Sequence, residues 1–355
     1  MLVVDAHEDI AYNAVRFGRD YRNSVQETRR LEANSDHPNG IATVGLPNSL
    51  LGRVGIVFGT IFTAPDVKSG MTLDTSPRYK TPAEAYQLGM QQWDYYQKLA
   101  DTSDKLLLVR TQAELNAVLD TWKDGTEQAD HKQGLVMLME NADPIVEPKQ
   151  FEEWYGRGLR IVGPAWTGSR YCGGTSMPGP LTDLGRELLE VMAGFNAILD
   201  LSHMAEESFL EAVDLYSGVI IASHSNPRSF RTTDRHLSDD MIHRLAERDG
   251  VMGIVLASAF LSNEWKKGDP KADLPFSRVL DAIDTVCQIT GNATHVGIGT
   301  DFDGGFGVES IPAEMDSTTD IWKIGDGLRE RGYSEADIEA VLGGNFLRKL
   351  RQSLP

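Results

Sequence analysis

Hydrophobic positions in this chain gather into eight short runs, each apolar nearly throughout and each ending abruptly in polar residues. They are LVVDAHED (2–9), GRVGIVFGTIFTA (52–64), GLVMLMEN (134–141), LRIVGPAW (159–166), AILDLSH (197–203), VIIASHS (219–225), GVMGIVLAS (250–258) and HVGIGTDFDGG (295–305). Apolar runs without polar alternation suit strands of a parallel sheet covered on both faces. Between them the spacing turns helical. Residues 82–103 begin near Pro82, as helix starts tolerate, and LLLVR (106–110) leads into a helix that Thr111 and Glu114 open as a capping box. Helices are also predicted over 182–195, around Phe209, Leu210, Val213 and Tyr216, over 275–291, and through 316–353. The segment 237–250 is a helix capped by Ser238 and closed by Gly250. Residues 10–50 read as polar and irregular, with turn chemistry at Pro38-Asn39-Gly40. A loop rich in Gly and Pro follows the fourth run to about residue 181.

Eight strands separated largely by helices, with no antiparallel hairpin signal, predict an α/β fold of the (β/α)8 TIM-barrel type. A doubly wound open sheet competes, but the eight regular repeats and the lack of Gly-x-Gly-x-x-Gly at the first turn disfavour it. No linker divides the chain, so 1–355 is expected to be one catalytic domain with long loops at the carboxyl face of the barrel.

Composition narrows the setting. The chain has 355 residues, 41% of them apolar and 24% charged, which is ordinary for a soluble globular protein. No apolar run approaches the roughly 20 residues that span a bilayer. The N-terminus lacks the basic and apolar regions of a secretory signal, and Cys172 and Cys287 do not make a disulfide framework, so a cytoplasmic protein is expected. The formal charge of −18 opposes binding to nucleic acid or to an anionic membrane. Bound cations would offset part of it.

The strand ends carry the chemistry. The first run supplies His7 and Asp9, the third Glu140, the fifth His203, the sixth His224 and the eighth Asp301. In a parallel barrel these three imidazoles and three carboxylates converge on one mouth. Like charges a few ångströms apart in a partly dry pocket repel one another, and cations resolve the conflict. Mixed imidazole and carboxylate suit zinc, manganese, cobalt or iron better than calcium or magnesium. One tetrahedral ion takes about three protein ligands plus water; this set holds more, which fits two divalent ions with Glu140 as the shared carboxylate. Water on such an ion has its pKa brought from about 15.7 to near 7. Taken singly, each residue has a plainer role: His7 and Asp9 as strand-end hydrogen-bonders, Glu140 in a salt bridge, Asp301 and Asp303 closing a turn on backbone amides. Six together at strand ends favour the metal. His37, His131, His236, His243 and His295 lie in loops, on helices or at strand starts and are assigned no such role.

Five segments carry a family resemblance: Asp5-Ala-His7-Glu-Asp9, Leu138-Met-Glu140-Asn-Ala-Asp-Pro-Ile145, Asp200-Leu-Ser-His203, Ala222-Ser-His224-Ser-Asn226 and Gly297-Ile-Gly-Thr-Asp301-Phe-Asp-Gly304. In order and content they resemble the motifs of the membrane (renal) dipeptidase family, peptidase family M19, of the amidohydrolase superfamily; Gly343-Gly-Asn-Phe-Leu-Arg348 matches its terminal signature. The resemblance implies a TIM barrel of the metal-dependent hydrolase type with a binuclear centre, zinc first among the candidate metals, that hydrolyses dipeptides with a hydroxide bridging the two ions and often tolerates a D-residue at the carboxyl side. It implies that His7, Asp9 and Glu140 hold one ion, that Glu140, His203 and His224 hold the other, and that Asp301 is the acid/base. Arg235 falls where the family grips the substrate carboxylate, and a homodimer is suggested. Two positions depart from the pattern. Trp166 stands where the family commonly has a substrate-contacting histidine, and Leu256-Ala257-Ser258 where well-known members carry a tyrosine. Tryptophan cannot accept a proton, so an N-acyl amino acid, lactone or ester hydrolase built on the same centre is the alternative. An inactive metal-binding homologue would lack a ligand or the acid/base, and all six residues are present.

Overall fold

A computed structural model describes residues 1–67 and 77–355. Its frame is eight strands: β1 (Val3–Glu8), β2 (Val54–Phe62), β3 (Gln133–Glu140), β4 (Leu159–Gly163), β5 (Ile198–Asp200), β6 (Ile220–Ser225), β7 (Val251–Ile254) and β8 (Val296–Ile298). Each pairs in parallel with the next, from Phe62 opposite Glu140 to Ile254 opposite Ile298. Pairing of Asp5 with Ile298 closes the ring. The result is a (β/α)8 barrel, as the eight apolar runs predict.

The apolar character of the strands follows from this closure. Along β3 every residue is buried, yet Leu135, Met137 and Met139 belong to one hydrophobic cluster while Val136 and Leu138 belong to another. Successive side chains point to opposite faces of the wall, and both faces are covered. Fully burying each such side chain contributes about 1.5–3 kcal/mol, so neither face tolerates polar alternation. The LLLVR run supplies a short extra strand, Leu106–Leu108, which pairs in parallel with the start of β3.

The connections differ from expectation in several places. Residues 10–50 are not irregular throughout; they contain helices Ile10–Phe17, Val25–Leu31 and Leu46–Leu51. The loop after β4 holds an antiparallel hairpin, Cys172–Gly174 with Met177–Leu181. It is possible because a Cβ on Gly173 would stand 2.3 Å from the Gly179 nitrogen: two glycines let the backbones touch where side chains would have announced a strand. The complete capping box belongs to helix Pro82–Asp101, through Thr81 and Glu84. At Thr111 only half of it forms. The Thr111 hydroxyl accepts from the Glu114 amide at 3.2 Å, but the Glu114 carboxylate turns to the Arg110 amide at 2.7 Å. Helix Asp239–Glu247 has Ser238 as its cap, and its left-handed closing residue is Asp249 (φ 56) rather than Gly250. Gly250 follows it, its N–H bonded to the Leu245 carbonyl at 2.8 Å. No helix among the described residues is long and apolar enough to cross a membrane.

Candidate metal centre

All six predicted residues lie at the carboxyl mouth of the barrel. Glu140 ends β3, His7 and His224 are the penultimate residues of β1 and β6, and Asp9 immediately precedes helix Ile10–Phe17. His203 and Asp301 follow β5 and β8, and both adopt the left-handed backbone region (φ 65 and 57). Outside glycine that conformation costs of order 1–3 kcal/mol; here it turns each side chain inward from a strand that would otherwise carry it past the mouth.

Glu140 is the hub. Its Oε2 lies 3.4 Å from His7 Nε2, and its Oε1 lies 3.2 Å from His203 Nε2 and 3.4 Å from His224 Nε2. The two nitrogens of the His203–His224 pair are 3.1 Å apart. Asp301 Oδ1 is 3.9 Å from His7 Nε2, and donor atoms of His7, Asp9 and Asp301 fall within 4.8 Å of one another, as do those of His7, Glu140 and His224. His7 Nε2 is buried without a hydrogen-bond partner. A buried lone nitrogen amid carboxylates is what a cation would satisfy, and the N and O donor set fits a transition-type divalent ion.

The electrostatics agree. Burial pushes His203 down to about 4, with Arg235 adding to it, and holds His224 well below its ordinary value, so both imidazoles are neutral and have lone pairs to give. Burial also opposes charge on His7, but Glu140, Asp9 and Asp301 outweigh it and raise His7 to about 9. Asp9 rises to about 6 through burial and Glu140. Asp301 rises well above the carboxylate range through burial and its acidic neighbours. The bare site thus takes up protons at positions a metal would occupy.

A supporting layer went unrecognised in the sequence. Asp200 accepts from Ser223 Oγ at 2.5 Å and from the Ser223 amide at 2.7 Å, and Ser223 Oγ sits 2.8 Å from His224 Nδ1. Because Ser223 donates to Asp200, it accepts from the ring, which leaves Nε2 as the free ligand atom of His224. Thr175, in the turn of the unexpected hairpin, contacts His203 Nδ1 at 3.0 Å. Thr60 donates to Asp9, and Asp5 binds the Thr300 amide and hydroxyl at 2.8 and 2.6 Å, pinning β1 to β8. Asp303 likewise does not close its own turn: it accepts from Thr43 and pairs with Arg19 at 3.1 Å, tying the 10–50 segment to the mouth. The available signals were the spacings Asp5-x-His7 and Asp200-x-x-His203.

A cavity of about 450 Å³ opens above Glu140, Asp9 and Asp301. Trp166 and Arg235 both line it. Trp166 meets Phe62 edge-on at 5.2 Å, Phe62 meets Tyr12 at 5.1 Å, and the indole lies 6.4 Å from the His203 ring. Arg235 is buried; it donates to the His224 carbonyl at 2.6 Å and to Ser225 Oγ at 3.1 Å, while its Nε has no partner. His236 lines the cavity too, but its ring nitrogens are taken by Thr233 (2.8 Å) and the Phe260 carbonyl (3.2 Å). After β7, Ala257 and Ala259 line the cavity.

A closed (β/α)8 barrel with imidazoles and carboxylates converging at its carboxyl mouth defines a metal-dependent hydrolase. The sequence profile of the membrane dipeptidase family (peptidase family M19) matches residues 1–354, and the chain belongs to that family. It is 28% identical over 214 residues to an uncharacterized protein in the pqqA 5′ region of Klebsiella pneumoniae, a match covering 58% of this chain and 76% of that one. The fold superposes on a crystal structure of dipeptidase AC, an M19 metallopeptidase, with TM-score 0.81 and 22% identity over 100% of this chain and 99% of that one. It also superposes on a Rhodobacter sphaeroides metallopeptidase bound to a phosphinate mimic of L-Ala-D-Ala, with TM-score 0.79 and 22% identity over 99% of each.

Proposed function

We propose that the protein is a binuclear metallo-dipeptidase that hydrolyses the amide bond of dipeptides, including those with a D-residue at the carboxyl side. The carrying observation is Glu140: one oxygen faces His7 and the other faces the His203–His224 pair, as a carboxylate shared between two ions requires. His7, Asp9 and Glu140 would hold one ion and Glu140, His203 and His224 the other, with zinc the first candidate. When bound, such ions polarise a carbonyl and acidify water toward neutral pH.

The chain's own residues do the rest. Arg235 sits at the cavity floor with an unpartnered Nε, suited to hold the substrate carboxylate through charge-assisted hydrogen bonds. Asp301 lines the cavity beside the proposed ligands, where a carboxylate can serve in turn as base and acid. It takes the proton of the attacking water and returns it to the amine nitrogen, which then leaves as a neutral amine. Protein stripped with chelator and reloaded with zinc recovers hydrolysis of a panel of L-L and L-D dipeptides; no turnover across that panel overturns the proposal.

A second reading, hydrolysis of N-acyl amino acids on the same centre, is favoured by the wall of Trp166, Phe62 and Tyr12, which offers apolar surface to an acyl group. The ratio of kcat/KM on acyl amino acids to that on dipeptides with the same carboxyl residue discriminates between them.

A further inference from the structure

Three cationic side chains line the cavity, Arg231, Arg235 and Lys267, and none of them forms an ion pair among the described residues. The chain has 52 acidic residues against 34 basic ones, and neighbouring arginines pair with acids: Arg228 with Glu206 at 2.7 Å, Arg278 with Asp281 at 3.0 Å. Lone cations gathered around a cleft in an acid-rich protein raise the local concentration of anionic ligands. Arg235, at the floor, accounts for one carboxylate.

The other two stand on the same side. Arg231 and Arg235 follow β6, Lys267 follows β7, and the Arg231 guanidinium stitches the two loops together by donating to the carbonyls of Ala259 (2.9 Å) and Ser262 (3.3 Å). Across the barrel lie Phe62, ending β2, and Trp166, following β4. A residue whose α-carboxylate rests on Arg235 therefore has its side chain along the Arg231–Lys267 wall, while the acyl half of the substrate extends toward the aromatic wall. Four acids also line the cavity: Asp9, Glu140 and Asp301 belong to the candidate metal centre, and Asp234, on the cationic side, has one of its oxygens occupied by the Ser176 amide at 2.7 Å.

We infer that the preferred substrates carry a second negative charge on the carboxyl-terminal residue: dipeptides ending in an acidic amino acid, whose side-chain carboxylate is received by Arg231 and Lys267. This rests on the dipeptidase reading and names its substrate class.

The test compares Leu-Glu with Leu-Gln, and Leu-Asp with Leu-Asn, in both configurations of the second residue, using the metal-loaded enzyme. Within each pair only the charge differs. The acidic member is expected to be favoured about tenfold in kcat/KM, mainly through KM, with the preference shrinking as salt screens exposed charges. Lys267 is exposed, so Lys267→Glu leaves the fold intact and is expected to abolish or invert the preference, while Lys267→Arg keeps it. Turnover of all four with ratios near one overturns the inference and leaves the dipeptidase reading standing. A tenfold preference indifferent to Lys267→Glu overturns the assignment to this wall. No turnover of these or of the wider dipeptide panel sinks the reading and the inference together.

Discussion

Asp301 and His224 show how single side chains divide the work of the site. Asp301 lies at the edge of the ligand set and lines the cavity, so Asp301→Asn is expected to retain both metals, by elemental analysis, and to lose about 10²–10⁴-fold in kcat. Metal loss in that variant would make Asp301 chiefly a ligand. Ser223→Ala deprives the His224 ring of its acceptor and Asp200 of one of its donors. Metal affinity is expected to fall about 10–100-fold, measured by competition with a chelator. Protonation belongs to the same scale. His7 in the bare protein is raised to about 9 from an ordinary 6.5, so its contribution to stability is fully present below 6.5 and is lost as pH rises through 9. The melting temperature of chelator-stripped protein should therefore decline between pH 6.5 and 9. Affinity for the ion assigned to His7 should climb over the same interval, because that ion must displace the proton. Parallel slopes would refute the assignment of His7 as a ligand. The six residues that converge at the mouth were legible in the sequence because each ends an apolar run. Ser223, Thr175 and Thr60 were not, since a hydroxyl at a strand end looks alike whether it faces a ligand or solvent.

At the scale of elements, the strands were readable and the connections much less so. A strand buried on both faces leaves an uninterrupted apolar run, whereas the helix Ile10–Phe17 is only eight residues long and buries the polar Asn13 together with Ile10, Ala11 and Tyr12. Asn13 donates to the carbonyls of Asp9 and Asp303, both at 3.0 Å, across 290 residues of sequence in the second case. The hairpin after β4 is hidden for a different reason, the near-contact of Gly173 and Gly179. Gly173→Ala places a Cβ 2.3 Å from the Gly179 nitrogen. The strands must part, at about 1–3 kcal/mol, and Thr175 is drawn away from His203. The expected outcome is a lower melting temperature together with weakened binding of one ion of the two; loss of stability with both ions bound as before would separate the hairpin from the site.

For the whole molecule, the proposed ligands come from β1 and the residue after it, from β3 and β6 and from the turn after β5, so ions at the mouth would tie together elements from much of the ring. Ions that bind the folded barrel and not the unfolded chain stabilise it by mass action, about 2.7 kcal/mol at a hundredfold excess over Kd. Scanning calorimetry of stripped and reloaded protein should show the melting temperature rising with metal concentration. The cations would also relieve part of the repulsion implied by a formal charge of −18. Local sequence determined what depends on neighbours in the chain: the apolar runs, most of the helices between them, the parallel barrel they imply, and the six polar residues at their ends. Closure of the barrel decided the rest. It set which Glu140 oxygen faces which histidine, how Asp200 and Ser223 orient His224, and that the cations of Arg231, Arg235 and Lys267 stand opposite Trp166 and Phe62. These relations join residues far apart in sequence, and periodicity along a chain carries no record of which distant strand a side chain will meet.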